Sequence, residues 1–279
     1  MKFLRSIQLN FPDMGVNVVD LRIDFDVEKT VSGIPNAATI KVYNLSRATR
    51  TRLKEEGGKV ELLAGYRSGD GELGLAFAGT ISDVVHEYTG DDVVTTLECG
   101  DGDKSQVTGF ISKTYPRGAS IESIVWDIQE LGMPDVSLGD TIGLATLPAL
   151  QRALSFQTTP RRALDELGRT YGFYWSIQNG ALEVVKKDRF IPSVTDLTPE
   201  TGLIDTPAIS DKGITARALL DTAIRPNRVV RLDSDKLRDE GASGEYRVSS
   251  VRYTGSNYSG DNTVELEGER IHGDTVVDV

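Results

Sequence analysis

One cysteine, two histidines and no surplus of positive charge set the first limits on this chain of 279 residues. With Cys99 alone, no intramolecular disulfide can form, and a reducing cytoplasm is the expected place of assembly. His86 and His272 are too few for a His-rich zinc site, and no H-E-x-x-H motif occurs. The formal net charge of −11 opposes a tight grip on nucleic-acid phosphates, which requires Lys and Arg. G-x-S-x-G and Walker loops are also missing. Long apolar runs are absent too: the uncharged stretch 142–150 is too short to span a bilayer and contains Pro148.

Three near-motifs read as turns. Gly69-Asp70-Gly71-Glu72-Leu73-Gly74 fits G-x-G-x-x-G by letter, but it carries two acids where a pyrophosphate would sit and leads into a strand pattern. Asp101-Gly102-Asp103 and Asp233-Ser234-Asp235 imitate calcium loops, yet Gln106 and Arg238 stand where glycine is needed. No catalytic residue, cofactor or metal is therefore expected.

What the chain does contain is β pattern and turns. Hydrophobic residues at 39%, charged residues at 26% and 28 glycines describe a folded protein with frequent reversals. In 1–103, Val19, Leu21, Ile23, Phe25 and Val27 alternate with Asp20, Arg22, Asp24, Asp26 and Glu28, which predicts one strand over 19–28 with a charged face. Further strands are expected at 38–42, 60–63, 75–85 and 93–99, with one helix over 47–56 capped by Ser46. In 104–190 the pattern turns helical. Ser120 caps a stripe of Ile121, Ile124, Val125, Ile128 and Leu131, and Thr159 caps a second helix, with Pro160 at its first position, that should stop before Gly168. The Asn179-Gly180 pair between apolar runs predicts a hairpin. Strands return in 191–279 at 228–232, 246–253 and 263–267.

The last region echoes the first. Tyr88-Thr89-Gly90-Asp91 with Thr96-Leu97-Glu98 matches Tyr258-Ser259-Gly260-Asp261 with Glu265-Leu266-Glu267, one residue being deleted between. Net charges of −6, +1 and −6 over the three regions place the acidity in the two β-rich ones. Trp126 and Trp175 lie in apolar patterns and are expected in the core, and Cys99 is expected to be a small buried residue.

The segment Ala38-Thr39-Ile40-Lys41-Val42-Tyr43-Asn44-Leu45-Ser46, then Ala64-Gly65-Tyr66, then Phe77-Ala78-Gly79-Thr80-Ile81, resembles the opening domain of tail-hub (baseplate-hub) proteins of tailed phages. That family includes late control protein D and the hub part of type VI secretion spike proteins. The resemblance continues through 158–185, with Tyr171-Gly172-Phe173-Tyr174-Trp175, and through Thr201-Gly202-Leu203-Ile204, Ala218-Leu219-Leu220 and 228–232. It implies a mainly β fold in which two tail-tube-like β-barrel domains (1–103 and 191–279) flank a small α+β insertion (104–190). It also implies a homotrimer forming a pseudo-sixfold ring between a hexameric tail tube protein and a trimeric central spike or tail-tip protein. The tape measure protein would be a further neighbour, and genomic DNA would pass through unbound. The expected location is the virion tail or baseplate, assembled in the host cytoplasm, as in a contractile injection system or a related tail.

On that reading Asp20, Asp24, Asp26 and Glu28 are candidates for lining the channel; a solvated strand face that discourages edge aggregation is the plainer alternative. The competing class is a carbohydrate-active protein, a glycoside hydrolase or a glycan-binding module, using Asp24 and Asp26 as paired carboxylates. A hydrolytic acid would need burial to raise its pKa.

Overall fold

Alternation of apolar and polar residues writes most of this chain into strands. The computed structural model describes residues 5–56, 58–66, 73–101, 109–210, 213–233, 237–238, 243–273 and 275–276. The 69–74 near-motif (apart from Leu73 and Gly74), Gly102, Asp103 and the 234–235 pair lie outside the described residues.

The first region contributes β1 (Arg5–Phe11), β2 (Val16–Val18), β3 (Ile23–Thr30), β4 (Ala37–Tyr43), α1 (Arg47–Glu56), β5 (Lys59–Tyr66), β6 (Gly74–Thr89) and β7 (Asp92–Gly100). The middle folds as β8 (Ile111–Tyr115), α2 (Ile121–Gly132), β9 (Ser137–Ile142), β10 (Leu154–Thr158), α3 (Pro160–Tyr171), β11 (Phe173–Gln178) and β12 (Ala181–Lys186). The last region supplies β13 (Ile191–Leu197), β14 (Ala208–Ser210), β15 (Gly213–Leu219), β16 (Arg228–Leu232), β17 (Gly244–Ser256), β18 (Thr263–His272) and β19 (Thr275–Val276).

Strands from the first and last regions form one sheet in the order β14-β15-β18-β17-β3-β4-β7-β6-β5-β1-β2, with β16 also on β17 and β13 on β16. The joint is the antiparallel pair β3–β17, which runs from Thr30 opposite Ser250 to Asp24 opposite Ser256. One hydrophobic cluster draws on both regions, from Ile7 to Leu266, while a second belongs to the middle module.

The two sides of the joint share a pattern. Order β5-β6-β7-β4-β3 on one side corresponds to β16-β17-β18-β15-β14 on the other, in the same chain order. Registers agree as well. Thr39, Ile40 and Lys41 face Glu98, Leu97 and Thr96; Thr215, Ala216 and Arg217 face Glu267, Leu266 and Glu265. Each long hairpin also shifts register at the same place, between Ile81 and Asp83 in one and between Val248 and Ser250 in the other.

Several details depart from the sequence pattern. The strand expected over 19–28 begins only at Ile23 and runs to Thr30; Val19 is exposed in the turn before it. Lys29 follows Ile23, Phe25 and Val27 into the interior. Trp175 is buried as expected, but Trp126 is 44% exposed on the outer side of α2, because Ile121, Ile124, Val125 and Ile128 already fill its inner face. Leu131 likewise falls off that face and is 55% exposed. Burying those four aliphatic side chains is worth roughly 1.5–3 kcal/mol each. The second module helix starts after Thr159, whose side chain makes no capping hydrogen bond, runs past Gly168 to Tyr171 and ends at left-handed Gly172. Gly168 is a packing residue: a Cβ there would meet the Phe173 carbonyl at 2.9 Å. The expected loop between the helices holds β9 and β10, with β9 lying parallel to β12.

Candidate functional site

The strand face proposed from the sequence belongs to a much wider surface. Paired residues of an antiparallel sheet project to the same side. Seven strands from β6 to β15 therefore carry one outer face across the β3–β17 joint. Carboxylates outnumber cations on it: Asp83 and Glu87 on β6, Glu98 on β7, Asp24, Asp26 and Glu28 on β3, and Glu265 and Glu267 on β18, against Lys41, Arg252 and Arg217.

The cations are placed to hold the acids in rows. Arg252 grips Asp26 through Nε and Nη2 at 2.9 and 2.6 Å and lies 3.6 Å from Glu28. Arg217 lies 3.8 Å from Glu265, and Thr39 Oγ1 donates to Glu98 at 2.8 Å. Asp24 accepts from Arg22 at 2.9 Å, from Tyr43 at 3.0 Å and from Ser256 at 2.6 Å. Burial works to raise the Asp24 pKa, but these hydrogen bonds outweigh it and hold the carboxyl below its usual value. That is the opposite of what a glycosidase acid requires. Of the four candidates, Asp24, Asp26 and Glu28 share this face; Asp20 is exposed in the bend before β3.

Behind the face, a polar junction joins the three regions. The Asn179-Gly180 turn of the β11–β12 hairpin, left-handed at both residues, is pushed against the end of the first β region. Asn179 Oδ1 accepts from Lys29 Nζ at 2.6 Å and from the Ala78 amide at 3.1 Å. The Gly180 amide donates to Asp101 at 2.9 Å, Asn36 donates to the Ile177 carbonyl at 2.6 Å, and Gln178 donates to the Thr30 carbonyl at 2.9 Å. Lys29 is 1% exposed. Burial pulls its pKa down and pushes that of Asp101 up, each opposed by the charge of the other. Gly33 lets the module approach, since a Cβ there would meet the Trp175 ring at 2.3 Å.

The last region is tied to the same hairpin from the other side. Buried Arg228 makes a two-armed pair with Glu183 at 2.9 and 3.1 Å and reaches Asp140 at 3.3 Å. Arg247, fully buried, donates to the Lys187 and Arg189 carbonyls, pairs with Glu269 and lies over the Tyr174 ring. Sequence alone could have flagged only Lys29, as a charge at an apolar position of an alternating strand.

Among the described residues, no group of three or more His, Cys, Asp or Glu could hold a metal ion, and no helix is long and apolar enough to cross a membrane. Cys99 is buried, which raises its thiol pKa to about 12 and leaves it no thiolate character near neutrality.

Comparison with known proteins finds relatives of this chain. Residues 6–268 match the family model described as baseplate hub gp41. Solved structures of similar fold include the 43 kDa tail protein of prophage MuSo2 from Shewanella oneidensis, with a TM-score of 0.65 and 10% identity over 95% of this chain and 98% of that one. A tail protein of Neisseria meningitidis MC58 gives the same score and identity over 95% and 96%. An Escherichia coli component of the type VI secretion system, described as structurally similar to the T4 tail proteins gp27 and gp5, gives 0.66 and 10% over 96% and 78%. Curated protein sequences return no match.

Proposed function

Since this chain belongs to the baseplate hub gp41 family of phage tail structural proteins, we propose that it is the ring-forming adaptor at the end of a tail tube. Three copies close into a ring. The two β units of each copy (within 1–103 and 191–279) act as two tube-like barrel domains flanking the 104–190 module, so the ring offers six similar units to a hexameric tube protein. A trimeric spike or tail-tip protein sits on its other side. The tape measure protein and the genome pass the lumen during assembly and ejection. The role is structural, in the virion tail, with assembly in the host cytoplasm.

The observation that carries this reading is the repeated strand order, register and bulge position on either side of the β3–β17 joint. A duplicated unit in each of three chains is a direct way to reconcile threefold with sixfold symmetry. The outer sheet face supports the lumen assignment, because a surface in which carboxylates outnumber cations repels phosphates.

Light scattering on a size-exclusion column tests the ring: the expected mass is three times the chain mass of 30.4 kDa. Purified protein that stays monomeric even with tube and spike proteins added would overturn it. For the lumen, Asp83→Lys with Glu87→Lys is the informative change, since among the described residues no arginine braces either acid as Asp24 and Asp26 are braced. Tails carrying it should assemble normally and deliver DNA poorly; unimpaired delivery would remove the face from the channel.

A further inference from the structure

Two aromatic side chains stand out against the surface of this molecule. Tyr88 is 74% exposed and Tyr258 is 76% exposed, above every other large apolar residue described. They occupy corresponding places: Tyr88 is the last residue but one of β6, at the β6–β7 turn, and Tyr258 lies in the β17–β18 turn, each opening a Tyr-x-Gly-Asp sequence.

Register puts both turns on one rim of the sheet. Thr89 pairs with Asp92 at the first tip, and Val94 of β7 lies opposite Tyr43 at the end of β4. The Tyr43 amide bonds the Arg22 carbonyl beside the start of β3, and Ile23 bonds Asn257 beyond the end of β17. From β7 through β4 and β3 to β17 is three strand spacings, roughly 14 Å.

Each tyrosine has an arginine against it, reached by a different route. Arg50 of α1 donates to the Tyr88 hydroxyl at 3.2 Å. Arg22 lies between the Tyr258 and Tyr43 rings, 5.2 and 4.2 Å from their centres. Beside Tyr88, a cleft is lined by Arg47, Arg50, Lys54 and His86, and among the described residues no carboxylate lines it, although the whole chain is strongly acidic. The opposite end of the sheet differs. Thr30, Asn36 and Asp101 meet the middle module there, one module per chain.

We propose that the Tyr88–Tyr258 rim is the surface through which each chain grips two neighbouring, identical subunits of the tube ring. The inference rests on the ring reading above and adds the end of the molecule and the residues that make the contact. A doubled element on one rim fits a partner that repeats twice per chain; the single module at the far end fits one that repeats once. Tyrosine and arginine are the residues that most often carry interface energy, and the cation-lined cleft calls for a carboxylate on the tube subunit beside its tyrosine-accepting notch.

The test uses the full chain and tube segments purified from the same tail. Tyr88→Ala and Tyr258→Ala should each weaken binding to tube ends about tenfold, and the double variant about a hundredfold, with ring mass unchanged. Tube binding by wild type that neither variant alters, or that only one of them alters, overturns the inference; so does a wild-type chain that does not bind tube ends. Loss of ring mass in the variants would also overturn it, assigning the tips to contacts between copies of this chain. DNA binding that disappears with the tips would do the same. A wild-type chain that binds tubes as a monomer, with both tips contributing, would keep this inference and remove the ring.

Discussion

At the residue scale the molecule spends charge where an apolar side chain would have served. Lys29 holds the fourth inward position of β3, and its ammonium finds Asn179 and the field of Asp101 where the three regions meet. Removing one member of such a buried pair leaves the other desolvated and unbalanced, at a cost of about 3–5 kcal/mol. Lys29→Met is therefore expected to lower the urea midpoint strongly, and Lys29→Met with Asp101→Asn to recover much of the loss. A double variant as unstable as the single one would show that the charges do not act as a pair. Periodicity can place Lys29 inside but cannot supply its partners, which lie 72 and 150 positions further along the chain.

At the element scale, local chemistry was legible and long-range placement was not. The Ser46 and Ser120 caps are made as their spacing predicts, each accepting an amide three residues on, and Asn179-Gly180 turns its hairpin as written. Nothing local announces that the same hairpin tip is a plug. Asn179 both adopts the left-handed backbone and supplies an acceptor to Lys29 and Ala78, so the two roles can be separated. Asn179→Gly keeps the turn and deletes the acceptor. Its expected cost is about 1–3 kcal/mol, from leaving buried donors unmet, with faster amide exchange at Ala78 while the β11–β12 amides stay protected. Unchanged exchange at Ala78 would mean that the plug is held by apolar contact alone. The outer acids were equally half-legible: alternation put Asp24, Asp26 and Glu28 on one side, but Arg252, more than two hundred residues away, decides the surroundings of Asp26 and Glu28.

At the scale of the whole molecule, the fold is polarised. One rim carries two exposed tyrosine tips, the opposite end carries the module, and the acidic face runs between them across a joint made of distant strands. Period-two alternation announced the β class and composition the acidity; the serial order of modest patterns pointed to the family. The joint itself could not be read, because its register depends on pairing β3 with a strand that begins at Gly244. It has a consequence for how the chain is made. At ~5–20 residues per second, roughly ten seconds or more separate the emergence of β3 from that of β17. Throughout that interval β3 is an open edge on a nascent chain, a template for pairing with whatever strand comes near. Its outward Asp24, Asp26 and Glu28 then act as guards before Asp26 and Glu28 meet Arg252. Fragments ending before Gly244 should remain dispersed with these acids in place and form sedimenting aggregates when all three are made Thr; equal solubility of the two fragments would refute this. The charges that border the finished face would thus have an earlier task, keeping an unfinished protein to itself on the ribosome.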